Sequence, residues 1–208
     1  MKSVIKKLLP KKLRKFLVEL SQIRQWRARG YLENAPQLVK QNLFVKYGVP
    51  QAQWVETGTY VGETTDFLSK NYSFVYSIEP EKNLFKNAMK KFLNKNVELF
   101  NDVSEDVMPS LLPGLSGDIN FWLDGHYSAG FTFKGNKDCP VEEELIAIKN
   151  NLLNFSKVAI LIDDARCFLP TNTSHSDYPS IDFLVDWARV NNFNWRVEQD
   201  VFIMRNFF

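Results

Sequence analysis

Three aspartates and a histidine stand where two apolar runs of the chain end. Asp124, Gly125 and His126 follow the run 119–123, and Asp163 and Asp164 follow the run 158–162. Both runs read as strands apolar on both faces, the pattern of a buried parallel sheet. If the two strands are neighbours, three carboxylates converge at adjacent strand ends. They would repel one another and lose solvation there. A hard divalent cation such as Mg²⁺, held by carboxylates and water, would resolve that conflict. A structural network of the same aspartates without metal is the alternative.

A second group of residues suits a different ligand. The segment Glu56-Thr57-Gly58-Thr59-Tyr60-Val61-Gly62-Glu63-Thr64-Thr65 places an acid before two glycines. Gly58 and Gly62 have no Cβ, so the backbone can turn tightly and approach a ligand closely. A dinucleotide fingerprint would need a third glycine and a helix N-terminus facing pyrophosphate. The acid suits a cationic amine instead, and a purely structural turn is the plainer reading. Glu79 lies 21 positions after Gly58, close to the separation of about 20 at which an acid hydrogen-bonds ribose hydroxyls. An N-cap role would place an acid there too.

These residues need a scaffold that presents strand ends side by side. The spacing predicts strands over 53–56, 74–79, 97–100, 119–124 and 158–162, with helices over 64–70, 81–93, 141–153 and 181–190. Two final strands, 194–198 and 201–205, are so close together that only an antiparallel hairpin can join them. Alternating strands and helices imply a parallel sheet with right-handed crossovers. The expected architecture is an α/β, Rossmann-like, seven-stranded and mostly parallel sheet with a C-terminal antiparallel hairpin. Ligands of such sheets bind outside the carboxyl ends of the strands.

The acid–x–Gly–x–x–x–Gly segment with Glu79 resembles the cofactor motifs of S-adenosylmethionine-dependent methyltransferases. Asp124-Gly125 and Asp163-Asp164 at the ends of the fourth and fifth strands resemble the macrocin/novobiocin type of metal-dependent sugar O-methyltransferases. The stretch 124–145 looks closer to methyltransferases of bacterial surface-polysaccharide clusters. The resemblance spans residues 55–205. It implies S-adenosylmethionine bound by Glu56, Thr57, Gly58, Thr59, Tyr60, Gly62, Thr64, Thr65 and Glu79. Asp102 and Ser104 would meet the adenine, and Asp124 would lie beside the sulfonium. It also implies a metal on Asp124, Asp163 and Asp164, and a general base at His126, where that family has aspartate. Histidine suits the task, being mostly neutral at pH 7. The implied activity is O-methylation of a hydroxyl on a sugar, glycan or glycolipid precursor, with a non-sugar diol such as a catechol as the alternative. A Rossmann-like scaffold without catalysis is the rival from another class, and a nicotinamide-dependent dehydrogenase is a weaker one.

The charge is unevenly distributed. Residues 1–30 hold ten Lys or Arg and one acid, whereas residues 31–208 hold 16 basic and 23 acidic residues. Leu9, Leu13, Phe16, Leu20 and Ile23 recur at helical spacing in that basic leader. The expected division is a leader over 1–30 and a cofactor domain over 31–208. The leader stripe can pack on the domain, on a second copy in a homodimer, or on an anionic membrane or lipid-linked substrate. The acidic body makes a poor surface for nucleic acid. Cys139 and Cys167 lie in unrelated contexts without CxxC spacing, so a cytoplasmic location is expected, with the inner membrane face as a peripheral docking place. Hydrophobic and charged contents of 45% and 24% are ordinary for a globular protein.

Overall fold

Two prolines set the start of the first two helices among the described residues. In the computed structural model, which describes residues 10–125, 139–171 and 177–208, Pro10 precedes α1 (Lys11–Ala28) and Pro36 precedes α2 (Gln37–Tyr47). Then come β1 (Gln53–Thr57), α3 (Glu63–Asn71), β2 (Val75–Ile78), α4 (Lys82–Lys91), β3 (Val97–Phe100) and α5 (Ser104–Leu111). The chain continues with β4 (Gly117–Leu123), α6 (Val141–Asn151), β5 (Phe155–Ile162), α7 (Ile181–Val190), β6 (Asn194–Glu198) and β7 (Val201–Arg205).

The seven strands form one sheet in the order β3-β2-β1-β4-β5-β7-β6. Pairs among β1 to β5 are parallel, while β7 runs antiparallel to β5 and to β6. The expected α/β, Rossmann-like sheet with a terminal hairpin is therefore what forms. Strand order reverses between β1 and β4, which opens the crevice where such sheets take ligands.

Register decides which residues meet at that crevice. Thr57 pairs with Leu123, and Leu123 with Ile162. The residues that follow them, Gly58, Asp124 and Asp163, therefore emerge side by side. The Asp124 N–H donates to the Thr57 carbonyl (3.2 Å), and the Asp163 N–H to that of Leu123 (3.1 Å).

Side-chain alternation along the strands sends neighbours to opposite faces. Val55, Phe121, Leu123, Ile160 and Ile162 pack under α5, α6 and α7. Trp54, Trp122, Leu161 and Ile203 pack on the other face against Leu43, Phe44 and Tyr47 of α2 and Leu68 of α3. α2 was not expected from the sequence, and neither was α5, which carries Pro109 within it. β5 also begins at Phe155, earlier than its all-apolar run suggested.

The leader is tethered at one end. Trp26 is buried with Ala35 and Val39, and its indole N–H donates to the Glu33 carbonyl (2.7 Å). Toward the N-terminus Leu13 and Phe16 of the stripe, with Leu17 and Val18 beside them, are 43–48% exposed. Leu9 lies outside the described residues. Among the described residues no helix is long and apolar enough to cross a membrane.

Candidate functional site

The loop after β1 is shaped by its neighbours. Gly58 has φ +85°, and a Cβ there would stand 2.6 Å from the Asp124 carbonyl oxygen. Gly62 has φ +70° at the start of α3, and a Cβ there would meet the Phe92 ring at 2.7 Å. Each glycine thus meets a packing demand inside the protein. Gly58 is what lets the loop after β1 and the loop after β4 lie against one another.

β2 holds the same loop from its other side. The N–H groups of Gly58 and Thr59 donate to the Ile78 carbonyl (3.0 and 3.2 Å). The Tyr60 N–H donates to Glu79 Oε2 (2.7 Å), and the Glu81 N–H to Glu79 Oε1 (2.9 Å). Glu79 is nearly buried, and burial pushes its pKa up while the two amides pull it back. Each carboxylate oxygen keeps acceptor capacity beyond one amide, which is what a pair of ribose hydroxyls requires.

Glu56 lies deeper. Its Oε2 accepts from the hydroxyls of Thr65 and Ser77 (both 2.6 Å), and Ser77 is itself hydrogen-bonded to Thr59 (2.6 Å). Its Oε1 is buried without a partner. Burial raises the Glu56 carboxyl to about 7, against the pull of Ser77 and Thr65. Glu144 of α6 behaves alike: burial raises it to about 7, with Ser104 and Thr57 partly offsetting the effect. Sequence reasoning did not single out Glu144, because it reads as one of three glutamates in the first turn of a helix.

Two expected cofactor contacts point elsewhere. The Thr64 hydroxyl accepts from the Gln37 amide (2.8 Å) and so faces α2. Ser104 is buried beside Glu144. Asp102 is exposed at the end of β3, where its carboxylate accepts from the Val103 N–H (2.9 Å). The neighbouring Asn101 amide donates to the Glu79 carbonyl (2.8 Å), tying the ends of β2 and β3 together.

The aspartates differ from expectation. Lys40, on α2, reaches over the Trp122 ring and bonds Asp163 Oδ2, with Asp124 Oδ2 at 3.3 Å. Asp164, with φ +55°, turns to Arg166 (2.8 Å), which also bonds Asp200 and donates to Asn34 (2.7 Å). Asp124, Asp163 and Asp164 therefore do not form the expected three-ligand metal centre. Two of them share an ammonium, and the third is paired with a guanidinium. Among the described residues no three His, Cys, Asp or Glu side chains could hold a metal ion. His126 and the second histidine, His175, lie outside the described residues.

Burial pushes the Asp163 carboxyl up and Lys40 opposes it; the pull of Asp124 and Asp163 in turn holds Lys40 protonated. Lys40, Arg166 and Asp200 were all missed by sequence reasoning. The signal for the helix that carries Lys40 was present in Val39, Leu43, Phe44 and Tyr47, whose helical spacing places a helix immediately before β1.

A groove of about 1100 Å³ lies between α1, α2 and α3, lined by Arg14, Trp26, Gln37, Glu63 and Phe67 among others. None of the residues at the strand ends lines it.

No protein-family profile matches this chain, and no curated protein matches it in sequence. Solved structures do. A protein provisionally assigned as an rRNA methylase from Clostridium thermocellum superposes with a TM-score of 0.52 at 12% identity, covering 84% of this chain and 97% of the other. The 23S rRNA methyltransferase ErmE gives 0.50 at 13% identity, covering 83% and 68%. An S-adenosylmethionine-dependent methyltransferase from Leishmania major gives 0.50 at 13%, covering 80% and 68%. The chain has the methyltransferase fold. At such identities the likeness is one of architecture, and the chemistry has to be argued from the site.

Proposed function

We propose that the protein is an S-adenosylmethionine-dependent O-methyltransferase. The observation that carries this reading is the bonding of the Gly58–Gly62 loop to Glu79 through Tyr60, at the reversal of strand order. A nucleoside's ribose needs a carboxylate there. Among the described residues the carboxylates Glu56, Asp124, Asp163 and Glu144 outnumber the cations at that crevice, Lys40 beside Asp163 and Lys91 on the Val61 and Gly62 carbonyls (2.9 and 2.7 Å), a field that favours a sulfonium and an ammonium over pyrophosphate. A nicotinamide dinucleotide is therefore the poorer fit.

In this reading the acceptor hydroxyl oxygen attacks the methyl carbon, the carbon–sulfur bond breaks, and the hydroxyl proton passes to His126. Positioning of the two reactants supplies most of the acceleration. The acceptor class, a hydroxyl of a sugar, glycan or glycolipid precursor, rests on the resemblance of Asp124-Gly125 and Asp163-Asp164 to the sugar O-methyltransferases. A lipid-linked acceptor is also suited to the exposed Leu13, Phe16 and Leu17 of the basic leader. Nucleic acid, the substrate named for ErmE, is disfavoured by the acidic body. Divalent-metal assistance is left out of this reading, because the aspartates that would bind the ion are paired with Lys40 and Arg166.

Calorimetric titration of S-adenosylmethionine into the purified protein tests the cofactor. Micromolar binding is expected, weakened at least tenfold in Glu79→Ala, since hydrogen bonds to a charged group contribute about 1.5–3 kcal/mol each. Absence of binding by the wild-type protein would leave a scaffold role as the better reading.

The affinity should also depend on pH. Glu56 titrates at about 7 when the crevice is empty, and a cationic ligand favours its ionised form. Below pH 7 the ligand must first displace a proton, so binding tightens as pH rises. Return of Glu56 to an ordinary carboxylate pKa on binding corresponds to roughly a tenfold gain between pH 6 and pH 8. Titrations in buffers of different ionisation enthalpy should detect proton release near pH 6.5 and almost none at pH 8.5. A flat profile with no proton release would remove Glu56 from the cofactor's field.

A further inference from the structure

We infer that Lys40 is the resident cation of the carboxylate pair Asp124–Asp163, standing where a divalent ion would otherwise be required, so that the pair does not bind metal in the native protein.

Charge gives the first reason. Asp163 is fully buried, and two carboxylates at neighbouring strand ends cannot both ionise without a counter-charge. The counter-charge present is an ammonium on a side chain only 10% exposed, bonded to Asp163 and 3.3 Å from Asp124. A second cation bound to the same two oxygens would meet Nζ at close range, so ammonium and metal exclude one another.

Packing gives the second reason. α2 is clamped to the sheet by Leu43, Phe44 and Tyr47, whose partners include Trp54 and Trp122. Phe44 stands edge-on to both tryptophans, with ring centroids 5.3 and 4.8 Å away. Lys40, one turn before Phe44, extends over the Trp122 ring with Nζ 5.3 Å from its centre. Such a position is a favourable one for an ammonium. The lysine is thus delivered to the carboxylates by a rigid helix.

The third reason lies in what remains open. Asp163 contributes nothing to the surface, while the Asp124 side chain stays 28% exposed. Lys40 fixes Asp124 from behind and leaves it as the carboxylate that faces an incoming ligand. Lys40 is therefore a positioning residue acting through Asp124.

The inference concerns the carboxylate pair alone, and its test needs no S-adenosylmethionine, so it stands or falls separately from the methyl-transfer reading. Mn²⁺ is added to the wild-type protein, Lys40→Met and Lys40→Arg, and bound ion is read from the loss of its free paramagnetic resonance signal. The wild type and Lys40→Arg are expected to bind no stoichiometric Mn²⁺, and Lys40→Met to gain one site. A purely structural lysine would not produce that gain. Stoichiometric binding by the wild type overturns the inference, and so does a folded Lys40→Met that stays silent. If Lys40→Met does not fold, nitrogen-15 spectra of the wild-type lysine ammonium groups decide. A protected Lys40 signal that survives Mn²⁺ supports the assignment, and one broadened away in a saturable manner refutes it.

Discussion

Gly58→Val is expected to destabilise the protein by about 3–5 kcal/mol, the sum of a non-glycine residue forced into positive φ and an overpacked contact. The backbone there has φ +85°, and the first atom of any side chain would stand 2.6 Å from the Asp124 carbonyl oxygen. That oxygen is main chain, between β4 and the segment leading to His126, and cannot swing aside as a side chain would. The cheapest relief moves the loop after β4 away from β1, which also separates Asp124 from Thr57, whose carbonyl and hydroxyl both accept from its N–H (3.2 Å each). Stability and cofactor binding should therefore fall together. Gly114→Ala is the matched control, because nothing lies within 4 Å of the added atom and its φ is not positive. Urea unfolding should place that control within about 0.5 kcal/mol of wild type. Equal losses at the two positions would show that the loop after β4 gives way, and that Gly58 is not what joins the two halves of the crevice.

The sheet was legible because its central strands are apolar in nearly continuous runs, 119–123 broken only by Asn120, a pattern that burial on both faces produces. Residues 158–162 and 119–123 needed no knowledge of their neighbours to be recognised. The hairpin was legible from geometry alone, since two residues between strands 194–198 and 201–205 allow no crossover. α2 was less so. Its apolar residues are interleaved with Gln37, Lys40, Gln41, Asn42 and Lys46, and Lys40 in that setting resembles any solvated helix lysine. Nothing local distinguishes a lysine at the surface from one that a sheet will bury.

The same limit explains the aspartates. Asp124 and Asp163 meet because β4 and β5 are neighbours in register, an adjacency that alternation leaves open, whereas Asp164 turns aside to Arg166. Their neutralisation depends on cations from elsewhere in the chain. Lys40 comes from a helix before the first strand, and Arg166 meets Asp200 only because the last strand inserts beside β5. Counting acids at the strand ends without those cations leads naturally to a metal ion. The structure resolves the same repulsion with residues of its own.

That resolution makes Asp163 a sensitive polar position. Asp163→Ala would leave Lys40 almost buried, with Asp124 at 3.3 Å as its remaining partner. Removing one member of a buried ion pair costs about 3–5 kcal/mol, because the survivor keeps its desolvation penalty. With Asp124 still present, a loss of about 3 kcal/mol is expected, measured by urea unfolding at pH 7. The double variant Asp163→Ala with Lys40→Met removes both charges and should lose less than the two single variants together, with a coupling of about 2 kcal/mol or more. Asp124→Ala should lose less than Asp163→Ala, since Asp124 is partly solvated and its removal leaves Lys40 bonded to Asp163. Additive losses in the double variant would mean that the two side chains do not share an interaction in solution. In that case the ammonium would not be what stabilises the strand ends, and the metal reading of Asp124 and Asp163 would regain its basis.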